Sequence, residues 1–378
     1  MVSRILPALF LMTMAVSAQD HDPPDSPQIL PNHKVIFRFD DPDAKEVKIK
    51  GILREYVDMH KNRKGIWTAT VGPIDPGIYD YSFLVDGEQE IDPSNAEVKP
   101  GRNPNTSSLE IATDKPLFYQ WKNVPHGVVH LHSYFSPSLH RLRRLRVYTP
   151  PGYDKHPDRR YPVLYLFHGT GDTEATWTEF GRANYILDNL IADGKAVPML
   201  IVMPDGHADL QDDEGDQRAN FIKFGKDVIG SVIPLVDSEY RTIPTADGRA
   251  INGLSMGGMQ SLQIGINHPE LFAYVGGMSA YVPQPEDLIK SGLANRKLND
   301  ELKLLWLSIG KDDFLLKDTL KFRSVLDAHG IRYQWHLTEG SHIWTVWRKY
   351  LCDFAPLLFH DTDSLAGHTV SGPSHARR

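Results

Sequence analysis

The second half of the chain carries continuous apolar runs, and few folds admit them. Tyr161-Pro162-Val163-Leu164-Tyr165-Leu166-Phe167, Pro198-Met199-Leu200-Ile201-Val202-Met203 and Leu304-Leu305-Trp306-Leu307-Ser308-Ile309 offer no alternating polar face to solvent. A shorter run of the same kind is Arg249-Ala250-Ile251-Asn252-Gly253. A strand without a polar face has to be covered on both sides, as in a parallel sheet buried between helices. Helical patterns near residues 183–192, 221–240 and 315–329 alternate with these runs. That order specifies an α/β domain, a mostly parallel sheet with helices on both faces, which we place at residues 126–360.

The first half has a different rhythm. Val35-Ile36-Phe37-Arg38-Phe39, Glu46-Val47-Lys48-Ile49, Trp67-Thr68-Ala69-Thr70-Val71 and the run from Tyr79 to Val85 alternate or nearly alternate apolar with polar residues. Asp86-Gly87 is a strong hairpin turn. Short strands at this spacing predict a small β-sandwich over residues 28–112. Asn103-Pro104-Asn105 and Thr106-Ser107-Ser108 read as turn material, and residues 113–125, with two prolines, as the linker.

At the N-terminus, Arg4 precedes an apolar run from Ile5 to Val16 and the small residues Ser17 and Ala18. This reads as a cleavable export signal over residues 1–18, so a secreted or periplasmic bacterial protein is expected. Residues 361–378 lose apolar periodicity and read as a disordered tail. No later stretch approaches the roughly 20 apolar residues of a membrane helix. The formal net charge of −7 provides no positive field for nucleic acid or an anionic bilayer. Cys352 is the single cysteine, so no internal disulfide can form.

Chemistry enters at Gly253-Leu254-Ser255-Met256-Gly257, a G-x-S-x-G pentapeptide entered by a β-type run and left by a helical pattern. In that frame the motif is the nucleophile elbow of the α/β-hydrolase fold, where a crowded strand-to-helix turn needs small residues beside the serine. A serine hydroxyl needs a base, and in this fold the acid and the histidine follow it in chain order. Gly310-Lys311-Asp312-Asp313 places carboxylates just past a strand end, and Glu339-Gly340-Ser341-His342 follows the predicted last strand, which makes His342 the base. His168, in His168-Gly169-Thr170-Gly171, ends the first long strand, and we count it with Trp177 and Asp205 among candidate substrate contacts. Trp344 and Trp347, three apart on a helix, read as packing residues. His130 and His132 share a strand face without a third ligand, and the acids from Asp209 to Asp216 do not match an EF-hand loop, so neither is read as a metal site. No cofactor is expected.

These motifs together resemble carbohydrate esterase family 1, which includes feruloyl and acetylxylan esterases and has relatives among enterochelin esterases and mycolyltransferases. The likeness rests on His168-Gly169-Thr170-Gly171, Gly253-Leu254-Ser255-Met256-Gly257-Gly258, Gly310-Lys311-Asp312-Asp313 and Gly340-Ser341-His342-Ile343-Trp344 with Trp347. It implies that Asp313, rather than Asp312, is the acid. It also implies oxyanion donors at the N–H groups of Met256 and Thr170. In the first half, Gly65-Ile66-Trp67, Pro76-Gly77-Ile78-Tyr79-Asp80-Tyr81-Ser82-Phe83, Val85-Asp86-Gly87 and Ile91-Asp92-Pro93 resemble the immunoglobulin-like modules of carbohydrate-binding module family 48. That likeness raises a sugar-stacking role for Trp67, Tyr79 and Tyr81, against a plain core role.

The resemblance implies a secreted serine esterase that releases feruloyl-type or acetyl groups from plant cell-wall polysaccharide. Two further readings stay open: an enterochelin-type siderophore esterase or other small-ester hydrolase, and an inactive glycan-binding protein.

Overall fold

The computed structural model describes residues 25–52, 55–208 and 217–360. The predicted export signal, the acidic run at 209–216 and the predicted tail lie outside the described residues.

Residues 28–111 form two packed antiparallel sheets. One contains Val35–Asp40 and Ile66–Val71, and the other Val47–Lys50, Gly77–Val85 and Glu88–Glu90. Val35, Phe37 and Phe39 are buried at alternate positions and meet Tyr81 and Phe83 from the opposite sheet. This follows from the strand period of two. The Asp86-Gly87 turn takes positive φ at both residues, as a two-residue hairpin requires. One expectation fails here. Ser107–Ile111 is a strand paired with Gly77–Tyr81, and buried Ser107 accepts the Asp92 N–H, so residues that read as turn-forming sit inside the sheet.

The second domain holds one eight-stranded sheet. Its strands are β1 (Val128–Ser136), β2 (Arg141–Thr149), β3 (Val163–Phe167), β4 (Leu200–Pro204), β5 (Arg249–Gly253), β6 (Tyr274–Met278), β7 (Leu304–Gly310) and β8 (Gln334–Thr338). The spatial order is β1-β2-β4-β3-β5-β6-β7-β8. β1 and β2 form an antiparallel hairpin, β2 runs antiparallel to β4, and β3 to β8 are parallel. The five helices that matter are α1 (Ala183–Ala192), α2 (Gln217–Asp227), α3 (Met256–Asn267), α4 (Leu316–Ala328) and α5 (Trp344–Phe354).

The continuous apolar runs are explained by two cores. Leu164 and Leu166 of β3 enter the core beneath α1 and α5, whereas Val163, Tyr165 and Phe167 enter the core beneath α3 and α4. Because β3 to β8 are parallel, their C-terminal ends gather on one edge, where open α/β sheets build their sites.

The two domains are pinned together beside that edge. Arg348 of α5, fully buried, donates to the carbonyls of Ile78 in the sandwich and Phe180 in the catalytic domain. Its ring neighbours are Tyr119 and Phe180, and burial pushes its guanidinium down to about 10.

Candidate active site

Ser255 sits between β5 and α3 with φ 54° and ψ −115°, a conformation that costs an L-residue strain. The turn is held by the Ser255 N–H on the Met278 carbonyl at 2.9 Å and by the Tyr281 N–H on the Ser255 carbonyl at 3.2 Å. The flanking glycines are required by space. A Cβ at Gly253 would lie 2.5 Å from the Gly257 carbonyl oxygen, and one at Gly257 would lie 2.5 Å from the His168 carbonyl oxygen.

Asp313 follows β7 and His342 follows β8. His342 Nδ1 lies 2.9 Å and 3.1 Å from the two Asp313 carboxylate oxygens. A carboxylate only accepts, so Nδ1 carries the proton and Nε2 is the basic nitrogen. Burial raises the Asp313 carboxyl, but hydrogen bonds from His342, the Leu315 N–H and Ser279 outweigh it and leave the group below its ordinary value. Asp312 is exposed. The imidazole lies edge-on to Trp347 at 4.8 Å, and the exposed Phe314 ring stands 4.6 Å away on another side. Trp344 and Trp347 are both buried and pack α5 down, and Trp347 also walls the imidazole.

Sequence reasoning missed Ser279. It is fully buried, has φ 46°, hydrogen-bonds Asp313, and accepts the Trp347 indole N–H at 3.1 Å. Its neighbour Met278, the last residue of β6, takes the Ser255 N–H, so the short segment at the end of β6 touches both the serine turn and the acid. Its positive φ belongs to the fold and has no residue-type signature.

Gly169 lies beside the serine: a Cβ there would be 3.7 Å from Ser255 Cβ. The Gly169 carbonyl accepts His168 Nδ1–H at 2.8 Å and the Asp172 N–H at 3.1 Å, which fixes the peptide plane that carries the Thr170 N–H. The Thr170 carbonyl accepts His207 Nε2–H at 2.7 Å. Neither the Thr170 nor the Met256 N–H has a backbone partner among the described residues.

Matches to known proteins fit this geometry. The model of the Esterase family, described as "Putative esterase", matches residues 136–358. The chain belongs to this esterase family. It is 33% identical over 332 residues to an endo-1,4-beta-xylanase/feruloyl esterase of Xylanibacter ruminicola, covering 85% of this chain and 44% of that protein. The chain thus spans less than half the length of that relative. A solved ferulic acid esterase is 27% identical with a TM-score of 0.54, over 61% of this chain and 97% of that one. An enterobactin esterase from Shigella flexneri shares the fold across 87% of this chain and 94% of its own, with a TM-score of 0.62 at 18% identity.

Two of the three expected substrate contacts, Trp177 and His168, need revision. Trp177 is 1% exposed, donates its indole N–H to the Phe167 carbonyl and meets Trp344 edge-on, so it belongs to the core. His168 is also 1% exposed, and its Nε2 accepts the Gly206 N–H at 2.8 Å, so both ring nitrogens are engaged within the fold. Asp205 is partly exposed, but its carboxylate is held by the His207 N–H at 3.1 Å and lies 3.6 Å from Arg143.

His168, Asp205 and His207 converge with ligand atoms within 4.8 Å, close enough to suggest a cation site. His168 has no lone pair left to offer and His207 Nε2 holds Thr170, so only His207 Nδ1 and the Asp205 carboxylate remain as ligand atoms. His132 faces Tyr240 and Glu239, and His130 faces Thr149. In the sandwich, Trp67 and Tyr81 are buried, and Tyr79 ties its hydroxyl to the Asp75 carbonyl, so these three rings form no exposed sugar platform.

Proposed function

We propose that the protein is a serine carboxylic ester hydrolase that removes feruloyl-type or acetyl groups from a plant cell-wall polysaccharide. The observation that carries the reading is the Asp313–His342 pair on the sheet edge that also presents Ser255 in a strained turn at the head of α3. His342 takes the Ser255 proton through Nε2 as the oxygen attacks the ester carbonyl, and Asp313 holds the ring and stabilises the imidazolium. The Met256 and Thr170 N–H groups receive the developing oxyanion, a contribution on the order of 10² to 10³ in rate per donor. The alcohol leaves with the proton, and the same histidine then activates water to release the acid from the acyl-enzyme.

Support for a plant-polysaccharide ester comes from the likeness to the xylanase/feruloyl esterase of Xylanibacter ruminicola and to the ferulic acid esterase fold. The two-domain likeness to an enterobactin esterase keeps siderophore trilactone hydrolysis as the alternative. Export rests on residues 1–18 alone, and N-terminal sequencing of protein recovered outside the cytoplasm checks it: a mature chain beginning near Gln19 supports it, and an intact Met1 opposes it.

The deciding experiment compares turnover of methyl ferulate, an acetylated xylan oligosaccharide and a siderophore trilactone. The reading expects kcat/KM for the first or second to exceed that for the trilactone by at least about tenfold, a 1.4 kcal/mol preference in transition-state binding. The reverse order would transfer the assignment to the siderophore class.

A further inference from the structure

The loop of the β-sandwich at residues 91–106, which joins Glu88–Glu90 to Ser107–Ile111, reaches toward the active site. This loop is bonded to the oxyanion loop. The Arg102 N–H donates to the Gly171 carbonyl at 3.1 Å, and the Thr176 hydroxyl donates to the Pro100 carbonyl at 3.1 Å. At Gly101 the two backbones almost touch, since a Cβ there would lie 3.0 Å from the Gly171 carbonyl oxygen. The Lys99 ammonium bridges the domains, 3.0 Å from Asp80 and 3.9 Å from buried Asp172.

Between the two loops lies a cavity of about 370 Å³, walled by Asp80, Lys99, Asn103, Asn105, Thr106 and Thr170 among others. Its size falls in the small-ligand range of about 300–1,000 Å³, but such pockets are mostly apolar. Here the lining contains no aromatic ring and no aliphatic side chain other than proline. An aryl group entering this space would strip water from amides and carboxylates without replacing the hydrogen bonds. A sugar would replace them, because each hydroxyl both donates and accepts, as do the Asn103 and Asn105 amides. Thr170, the proposed oxyanion donor, forms one wall, and the preceding residue, Gly169, lies beside Ser255, so the cavity adjoins the loop proposed to hold the reacting carbonyl. Of the three rings that the sequence offered for sugar stacking, Trp67 and Tyr81 are used in the core of the sandwich.

We propose that this interdomain cavity is the subsite for the glycosyl group next to the scissile ester, which makes the sandwich a wall of the active site. The proposal rests on the polysaccharide-ester reading above and specifies where its sugar goes.

Two arms test it. In the Ser255→Ala protein, calorimetry measures binding of an unesterified xylan oligosaccharide with and without Asn103→Trp, which fills the cavity. The expected loss is about tenfold or more in affinity, and an unchanged Kd overturns the proposal. In the active enzyme, kcat/KM for a feruloylated xylan oligosaccharide is divided by that for methyl ferulate. Asn103→Trp should lower this ratio about tenfold, mainly through KM, and Asn105→Ala, which adds no bulk, about threefold. A ratio that stays constant while both substrates slow together would mean that the loop only braces the oxyanion loop, and the proposal would fall. Wild-type enzyme that cleaves neither ester would instead refute the functional reading, whatever the calorimetry gives.

Discussion

At the ends of β3 and β4, His168 and His207 lie with Asp205; at the ends of β7 and β8, His342 lies with Asp313. Both groups pair imidazole with carboxylate on the same sheet edge, and both flank the serine turn. They differ in what the ring nitrogens face. His168 gives Nδ1–H to Gly169 and accepts the Gly206 N–H at Nε2, while His207 faces Asp205 and Thr170. His342 meets Asp313 through Nδ1, and its Nε2 has no protein partner among the described residues. An imidazole with both nitrogens committed braces a loop; one with a free basic nitrogen can move a proton. Proximity of an Asp–His pair to a nucleophile therefore does not by itself assign the base.

The largest effect should come from His342→Ala, which removes the proton acceptor and lowers kcat by roughly 10⁴ to 10⁶ without unfolding the chain. Ester turnover followed beside circular dichroism checks this, and near-normal turnover would erase the distinction between the two pairs. His207→Phe keeps the ring volume but drops the hydrogen bond to the Thr170 carbonyl. A misaimed oxyanion donor should lower kcat roughly 10- to 100-fold with little change in KM. If this variant were as inactive as His342→Ala, the bracing role would be wrong.

The smallest effect concerns stability and pH. The Asp313 carboxyl is lowered in the folded protein, so its contacts stabilise the fold above the ordinary carboxyl range near about pH 4 and fade as pH falls through the lowered value. Thermal melts should show the wild-type Tm dropping through that interval and Asp313→Asn dropping less. A steeper fall in the variant would contradict the sign.

Much of this was legible in the sequence, for identifiable reasons. The apolar runs predict a sheet covered on both faces because β3 feeds two cores. The glycines of the serine turn are readable because the neighbouring backbone leaves no space for a Cβ. The stretch that carries Ser279 was harder. Gly276 and Gly277 interrupt the apolar signal of β6, and their reason is spatial: a Cβ would lie 2.6 Å from the Asn252 side chain and 2.9 Å from Leu262. Trp177 misled because an aromatic residue after the oxyanion motif looks the same in sequence whether it faces the cleft or the core. The interdomain wall was invisible for a related reason. Loop 99–106 has turn composition, and only tertiary contact shows what such a loop leans on.

The central claim is that Ser255 is reactive because His342 takes its proton. Mass spectrometry after fluorophosphonate treatment tests it directly, with wild type and His342→Ala labelled in parallel. The account predicts one adduct, on the peptide containing Ser255, formed rapidly in wild type and slowed by orders of magnitude in the variant. An adduct on another serine, or equal labelling of Ser255 in both proteins, would contradict it.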